Sequence, residues 1–205
     1  MFVRICSWLL VALALNTAAQ AGKYNPTLSI GDKAPEFSKL PGVDGKEHSL
    51  ADLKDKSVVV VVFTCNTCPY ALDYEKRLIQ FSKDYCGADG KVGLLAINVN
   101  RVPGDKLEDM KQRAENQHYN FPYLYDESQQ SAKAYGATFT PEFFVLDKDR
   151  KVVYMGAMDD SPAGDKIMNK HVELAVQAAL EGKQPATTET VAIGCLVRYV
   201  RERRK

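Results

Sequence analysis

Six consecutive apolar residues, Val58–Phe63, dominate what this chain can fold into. Five of them are valines, and no polar residue alternates with them. A half-buried strand would show period-two alternation, so this run predicts a strand covered on both faces, the kind found in the middle of a helix-flanked sheet. The chain then reads Thr64-Cys65-Asn66-Thr67-Cys68-Pro69, and a helical pattern follows. Ala71, Tyr74, Leu78, Phe81 and Tyr85 recur at spacings of three and four, which lines one face of a helix. Pro69 suits the first turn, where its missing N–H costs nothing, and Gly87 suits the end. Two cysteines therefore lie where a buried strand turns into a helix.

The rest of the chain repeats the alternation. Turn signals at Pro41-Gly42 and Asp44-Gly45 come first, with a short strand near Glu47–Leu50 and one helical turn near Leu50–Leu53. Val92–Val99 reads as a second buried strand. Asp105–Gln117 reads as a helix whose start Asp105 could cap. Phe121–Tyr125 is a short strand, and Ser128–Tyr135 a short helix stopped by Gly136. Phe143–Leu146 and Val152–Met155 form a hairpin across the charged turn Asp147–Arg150. Ile167–Leu180 is a last helix, with Ile167, His171, Leu174 and Val176 as its inner residues. Early βαβ alternation implies parallel strands, and the closing hairpin implies an antiparallel edge. The expected class is α/β, a mixed central sheet with helices on both faces, in one domain over residues 22–184.

Residues 1–21 read as a cleaved signal peptide. Arg4 is followed by an apolar run, Ile5–Leu15, too short to span a bilayer, and then by the small-residue site Ala19-Gln20-Ala21. Export is therefore expected, to a periplasmic or other extracytoplasmic compartment, with no membrane span left after cleavage. Residues 185–205 form a tail that ends in a basic run, Arg198 to Lys205, expected to be frayed and solvated. With 27 Lys+Arg against 26 Asp+Glu, a net charge of +1 offers no surplus for a nucleic-acid partner.

Cys65 and Cys68 form a C-x-x-C pair. Such a pair closes a small disulfide ring or supplies half of a zinc site. Zinc needs two more ligands, and His48, His118 and His171 are scattered, so no metal and no cofactor are expected. A helix N-terminus favours an anion, and the thiolate is the reactive form of cysteine. Cys65, ahead of the helix, is assigned as the exposed attacking nucleophile, and Cys68 as its resolving partner.

The segments GDKAPEF, VVVVVFTCNTCPY, LLAINVN, FPYLYD, YGATFTPEFFVLD and GCLV together resemble the thioredoxin superfamily. Within it they resemble the peroxiredoxin-like redoxins of the alkyl hydroperoxide reductase/thiol-specific antioxidant branch. The resemblance implies a thioredoxin-like fold, a cis Pro141 lying against the cysteines, and a Thr140 whose backbone receives the substrate chain. It implies thiol–disulfide exchange with protein thiols and disulfides and with a further redox partner. Two departures stand out. Peroxiredoxins carry Pro-x-x-x-Thr-x-x-Cys, but Val62 stands three residues before Cys65, and Cys65 three before Cys68. Thioredoxins carry a buried Asp six residues before the first cysteine, where this chain has Val59. Glu142 is a candidate acid/base substitute. Cys86 and Cys195 could bridge each other, Cys195 could reach the active pair as a third redox cysteine, or both could be free thiols. The reading is an extracytoplasmic thiol–disulfide oxidoreductase; a thiol-dependent, antioxidant peroxidase and a Cu(I)-binding protein are the alternatives.

Overall fold

The structure, a computed structural model, describes residues 22–87 and 90–201. The predicted signal peptide lies outside the described residues. A small hairpin, β1 (Leu40–Pro41) and β2 (Glu47–His48), precedes a 3-10 turn at Leu50–Leu53. The main body then runs β3 (Val58–Phe63), α1 (Pro69–Tyr85), β4 (Val92–Asn98), α2 (Leu107–Gln117), β5 (Tyr123–Tyr125) and α3 (Gln130–Tyr135). It continues through β6 (Phe139–Thr140), β7 (Glu142–Leu146), β8 (Val152–Gly156) and α4 (His171–Leu180), and ends with β9 (Cys195–Leu196).

Five strands form one sheet in the order β5-β4-β3-β7-β8. β3 pairs in parallel with β4, and β4 with β5, while β7 runs antiparallel to both β3 and β8. The valine run is thus the central strand of a mixed sheet, as its two-sided apolarity requires. Val58, Val60 and Val62 face a core with Tyr74, Leu78 and Phe81 of α1 and Val172 and Val176 of α4. Val59, Val61 and Phe63 face a second core with Leu50, Ala132 and Tyr135. Both layers are required, since all six side chains are fully buried and each contributes about 1.5–3 kcal/mol only if covered.

Three sequence expectations need correction. The final helix starts at His171, not Ile167, and turns Val172, Ala175 and Val176 inward while Leu174 is exposed. α2 starts at Leu107, and Asp105 does not cap it. The tail is docked over residues 188–200. Thr190 bonds Tyr154 and the N–H of Ala157, Arg198 N–H donates to Asn100 Oδ1, and Val200 N–H donates to Gln129 Oε1. The basic run therefore begins on an anchored backbone.

Candidate redox site

The site assembles at the sheet edge where β3 ends. Thr64 N–H still donates to the Ile97 carbonyl, continuing the ladder with β4, and the next four residues leave the sheet. Pro69 is the first residue of α1, which makes Cys68 its N-cap. Cys65 and Cys68 are buried, at 4 % and 2 % exposure, and pack with Ala71 and with Cys195 from the tail. The openness expected of Cys65 is absent.

Thr140 and Pro141 close the site from the opposite side. Their peptide bond is cis. Thr140 Oγ1 lies 3.3 Å from Cys65 Sγ, and the Thr140 carbonyl accepts from Cys68 Sγ at 3.0 Å. One residue thus touches both sulfurs. Its backbone also pairs antiparallel with the tail, Thr140 opposite Cys195 and Phe139 opposite Leu196.

The two thiols share their protons as a pair. The neighbouring Cys65 thiol is the largest influence lowering the Cys68 thiol; the Cys195 thiol and the backbone N–H groups of Ala71 and Cys195 add to it against the cost of burial. Cys65 is correspondingly raised, by that same interaction and by burial. The Thr140 carbonyl is the one neighbour that favours a protonated Cys68. The Cys68 thiol, at the helix N-terminus, is thus drawn toward its anion while Cys65 is held toward its thiol, whereas the sequence pointed to Cys65 as the nucleophile.

Asp105 is the buried carboxylate that sequence reasoning missed. It is fully buried. Its Oδ1 accepts from Asn66 N–H and its Oδ2 from the Thr67 hydroxyl, each at 2.6 Å. Asn98 and Asn100 donate to it at 3.3 and 3.2 Å. Tyr123 hydroxyl donates to Asn66 Oδ1 at 2.9 Å. The two residues between the cysteines are thus fixed from below. The available signal was a pair of asparagines at the end of a buried strand, Asn98 as its last residue and Asn100 just beyond, where polar side chains have few places to go.

Glu142 is buried, and its carboxylate accepts from the N–H groups of Thr138 and Phe139 at 2.7 and 2.9 Å. It braces the turn that presents Thr140. Burial pushes its carboxyl above the ordinary value, against those two bonds. Cys86 is the C-cap of α1, at the far end from Cys68. A 17-residue helix is about 25 Å long, so of the alternatives for Cys86 and Cys195 a bridge between them is out of reach; the four cysteines among the described residues are free thiols. Among the described residues no cluster of three or more His, Cys, Asp or Glu could hold a metal ion, and no helix is long and apolar enough to cross a membrane.

Comparison with known proteins agrees with this chemistry. The Redoxin family profile matches residues 29–171. The thiol-disulfide oxidoreductase ResA of Geobacillus thermodenitrificans is 29 % identical over 146 residues, 70 % of this chain and 78 % of that protein. A Mycobacterium tuberculosis protein, provisionally named a peroxiredoxin, is 29 % identical over 62 % of this chain and 83 % of its own length. The crystal structure of an uncharacterized conserved protein from Geobacillus kaustophilus superposes with a TM-score of 0.79 at 37 % identity, covering 87 % of this chain and 96 % of that one. The fold is thioredoxin-like, and the relatives carry redox chemistry.

Proposed function

This chain belongs to the Redoxin family, and on that footing we propose that it is an extracytoplasmic thiol–disulfide oxidoreductase cycling Cys65 and Cys68 between dithiol and disulfide. The observation that carries the reading is the pair of sulfurs buried at the start of α1, both held against Thr140. Cys68 supplies the thiolate and Cys65 the second thiol. Together they give two electrons to a disulfide, with one proton from Cys65 and one from solvent, or take them from a dithiol in the reverse direction. Thr140 and Pro141 serve as the platform that orients the reacting chain, and Asp105 and Glu142 serve as positioning residues for the two sides of the site. Protein cysteines are the substrate class this supports. Exposed Tyr70, Ile193 and Leu196 flank the cysteines in sequence and offer apolar contact to a protein chain.

Equilibration of the purified protein in glutathione buffers tests the reading. A single two-electron transition of the Cys65–Cys68 pair is expected. A midpoint near −270 mV would make it a reductant like thioredoxin, and one near −120 mV an oxidant like strong disulfide donors. A pair that never oxidises to a disulfide would sink the proposal. A peroxidase reading would require hydroperoxide consumption, which the missing Thr-x-x-Cys arrangement argues against.

A further inference from the structure

Cys68 has two sulfur neighbours, not one. Cys65 approaches from the same loop, and Cys195 approaches from the tail 127 residues later, its N–H donating to Cys68 Sγ at 3.3 Å. The Cys195 side chain packs into the same cluster. Of the three cysteines it is the most open to solvent, and Leu196 beside it is 64 % exposed.

The tail also occupies a telling place. Thr140, the residue before the cis proline, pairs antiparallel with Cys195. The approach is so close that a Cβ on Gly194 would meet the Thr140 carbonyl oxygen at 2.2 Å. Only glycine before Cys195 lets the tail lie on that backbone. A reacting chain that pairs with Thr140 and brings a sulfur to Cys68 would follow the path that the protein's own Gly194-Cys195 follows.

We infer that Cys195 is a third redox cysteine, which exchanges disulfides with Cys68 on the inside and with substrate chains on the outside. The inference rests on the thiol–disulfide reading of the Cys65–Cys68 pair. In the direction that reduces a substrate, the Cys195 sulfur attacks one sulfur of an external disulfide and releases the other as a thiolate. Cys68 then attacks Cys195 Sγ, forming the Cys68–Cys195 bond and releasing the second substrate thiolate. Cys65 attacks Cys68 Sγ, forming the Cys65–Cys68 bond and returning Cys195 as a thiolate. Two electrons pass to the substrate. The Cys65 proton and one from solvent, in place of the one the Cys68 thiolate has already given up, balance the two substrate thiolates, and Cys195 recovers its own proton. Each step is an exchange among sulfurs and runs equally in reverse. The chain that Thr140 and Pro141 orient against the buried pair is then the protein's own tail, which carries the exchange outward.

The test uses single variants of the whole protein. In Cys65→Ser, oxidation with glutathione disulfide followed by non-reducing peptide mapping is expected to give a Cys68–Cys195 cross-link as the main product. Adding Gly194→Val, which moves the tail off Thr140, is expected to abolish that cross-link. In Cys195→Ser, the Cys65–Cys68 disulfide still forms in glutathione, but its exchange with insulin disulfides slows about tenfold or more, since an intramolecular thiol acts at millimolar effective concentration. A Cys65→Ser protein that ends with Cys68 glutathionylated and Cys195 free would overturn the inference. So would an undiminished insulin rate in Cys195→Ser. Either result with an intact Cys65–Cys68 couple falls on Cys195 alone. A wild-type protein that forms no Cys65–Cys68 disulfide removes the underlying reading and this inference with it.

Discussion

Replacing Asp105 with alanine is expected to be among the most damaging single substitutions outside the apolar core. The carboxylate is fully buried and receives four donors: Asn66 N–H and the Thr67 hydroxyl at 2.6 Å, and the amides of Asn98 and Asn100 at 3.3 and 3.2 Å. Hydrogen bonds to a charged group contribute about 1.5–3 kcal/mol each, and a buried donor left without a partner costs about 1–3 kcal/mol. The two short bonds dominate. With partial relaxation of the loop, the loss comes to about 3–5 kcal/mol, in line with breaking other buried charge networks. For a domain of this size, each kcal/mol moves the melting point by about 2–4 °C, so a fall of about 6–20 °C is expected by circular dichroism. Asp105→Asn keeps the shape and one acceptor. Its amide would face Asn100, whose own oxygen is engaged by Arg198 N–H, so it is expected to lose about 1–3 kcal/mol. A melting point within about 2 °C of wild type for Asp105→Ala would refute the assignment of this carboxylate as the anchor of the Cys65–Cys68 loop.

Three further substitutions follow from the geometry. Glu142→Gln should gain on wild type as pH rises: burial lifts the Glu142 carboxyl above its ordinary 4.5, so the folded state favours the protonated form, and wild type loses stability from about pH 4.5 upward until the folded carboxyl has ionised. A melting-point difference that stays constant between pH 4 and 7 would contradict this. The ultraviolet thiolate absorbance of the reduced protein should persist below about pH 8.5, the free-cysteine value, because Cys68 is lowered by Cys65 and the converging N–H groups; in Cys68→Ser that low-pH absorbance should vanish. Gly136→Ala forces a left-handed backbone, φ 65°, on a residue with a Cβ, and that Cβ would meet Asn25 Oδ1 at 2.5 Å. A loss of about 2 kcal/mol or more is expected, read as a drop of about 4 °C or more.

The sheet was legible in the sequence because its signals are local. An unbroken valine run, a helix with apolar spacing of three and four, and a charged turn between two apolar strands each declare themselves within a dozen residues. Pro141 and its threonine were legible for another reason, since their place beside the pair came with the family resemblance. Asp105 was not, because an Asp just before a helical pattern reads as an N-cap. The competing demand was the buried backbone of the Cys65–Cys68 loop, which won over the helix end: Asn66 N–H and the Thr67 hydroxyl sit 39 and 38 residues away in sequence. The docked tail was hidden likewise. Its anchors include the two-residue pairing of β9 with β6 and hydrogen bonds from Arg198 and Val200 N–H to side chains of Asn100 and Gln129, and a terminal run of arginines gives no local hint of them. Contacts made by backbone groups to distant side chains leave almost no pattern in the residues that make them.

The lowering of the Cys68 thiol has, besides the influence of Cys65, a local cause that the sequence does contain. Proline is welcome at the first position of a helix and disruptive deeper in it, where its absent N–H breaks an i to i−4 bond. Pro69 follows Cys68 directly and is observed as the first residue of α1. The helix can then begin no earlier without placing the proline inside its ladder, so the N-cap falls on Cys68. The N-cap is the position whose side chain lies nearest the free N–H groups of the first turn, and although no side-chain capping bond closes there, the Ala71 N–H is among the groups that lower the Cys68 thiol. Cys65, three residues earlier, lies outside the reach of those groups and takes Thr140 as its neighbour instead. The placement of a single proline therefore sets which sulfur lies against the first-turn N–H groups, which add to the larger influence of the Cys65 thiol on Cys68. Because the tail's Cys195 N–H converges on that same sulfur, it also decides which of the two cysteines the tail can address.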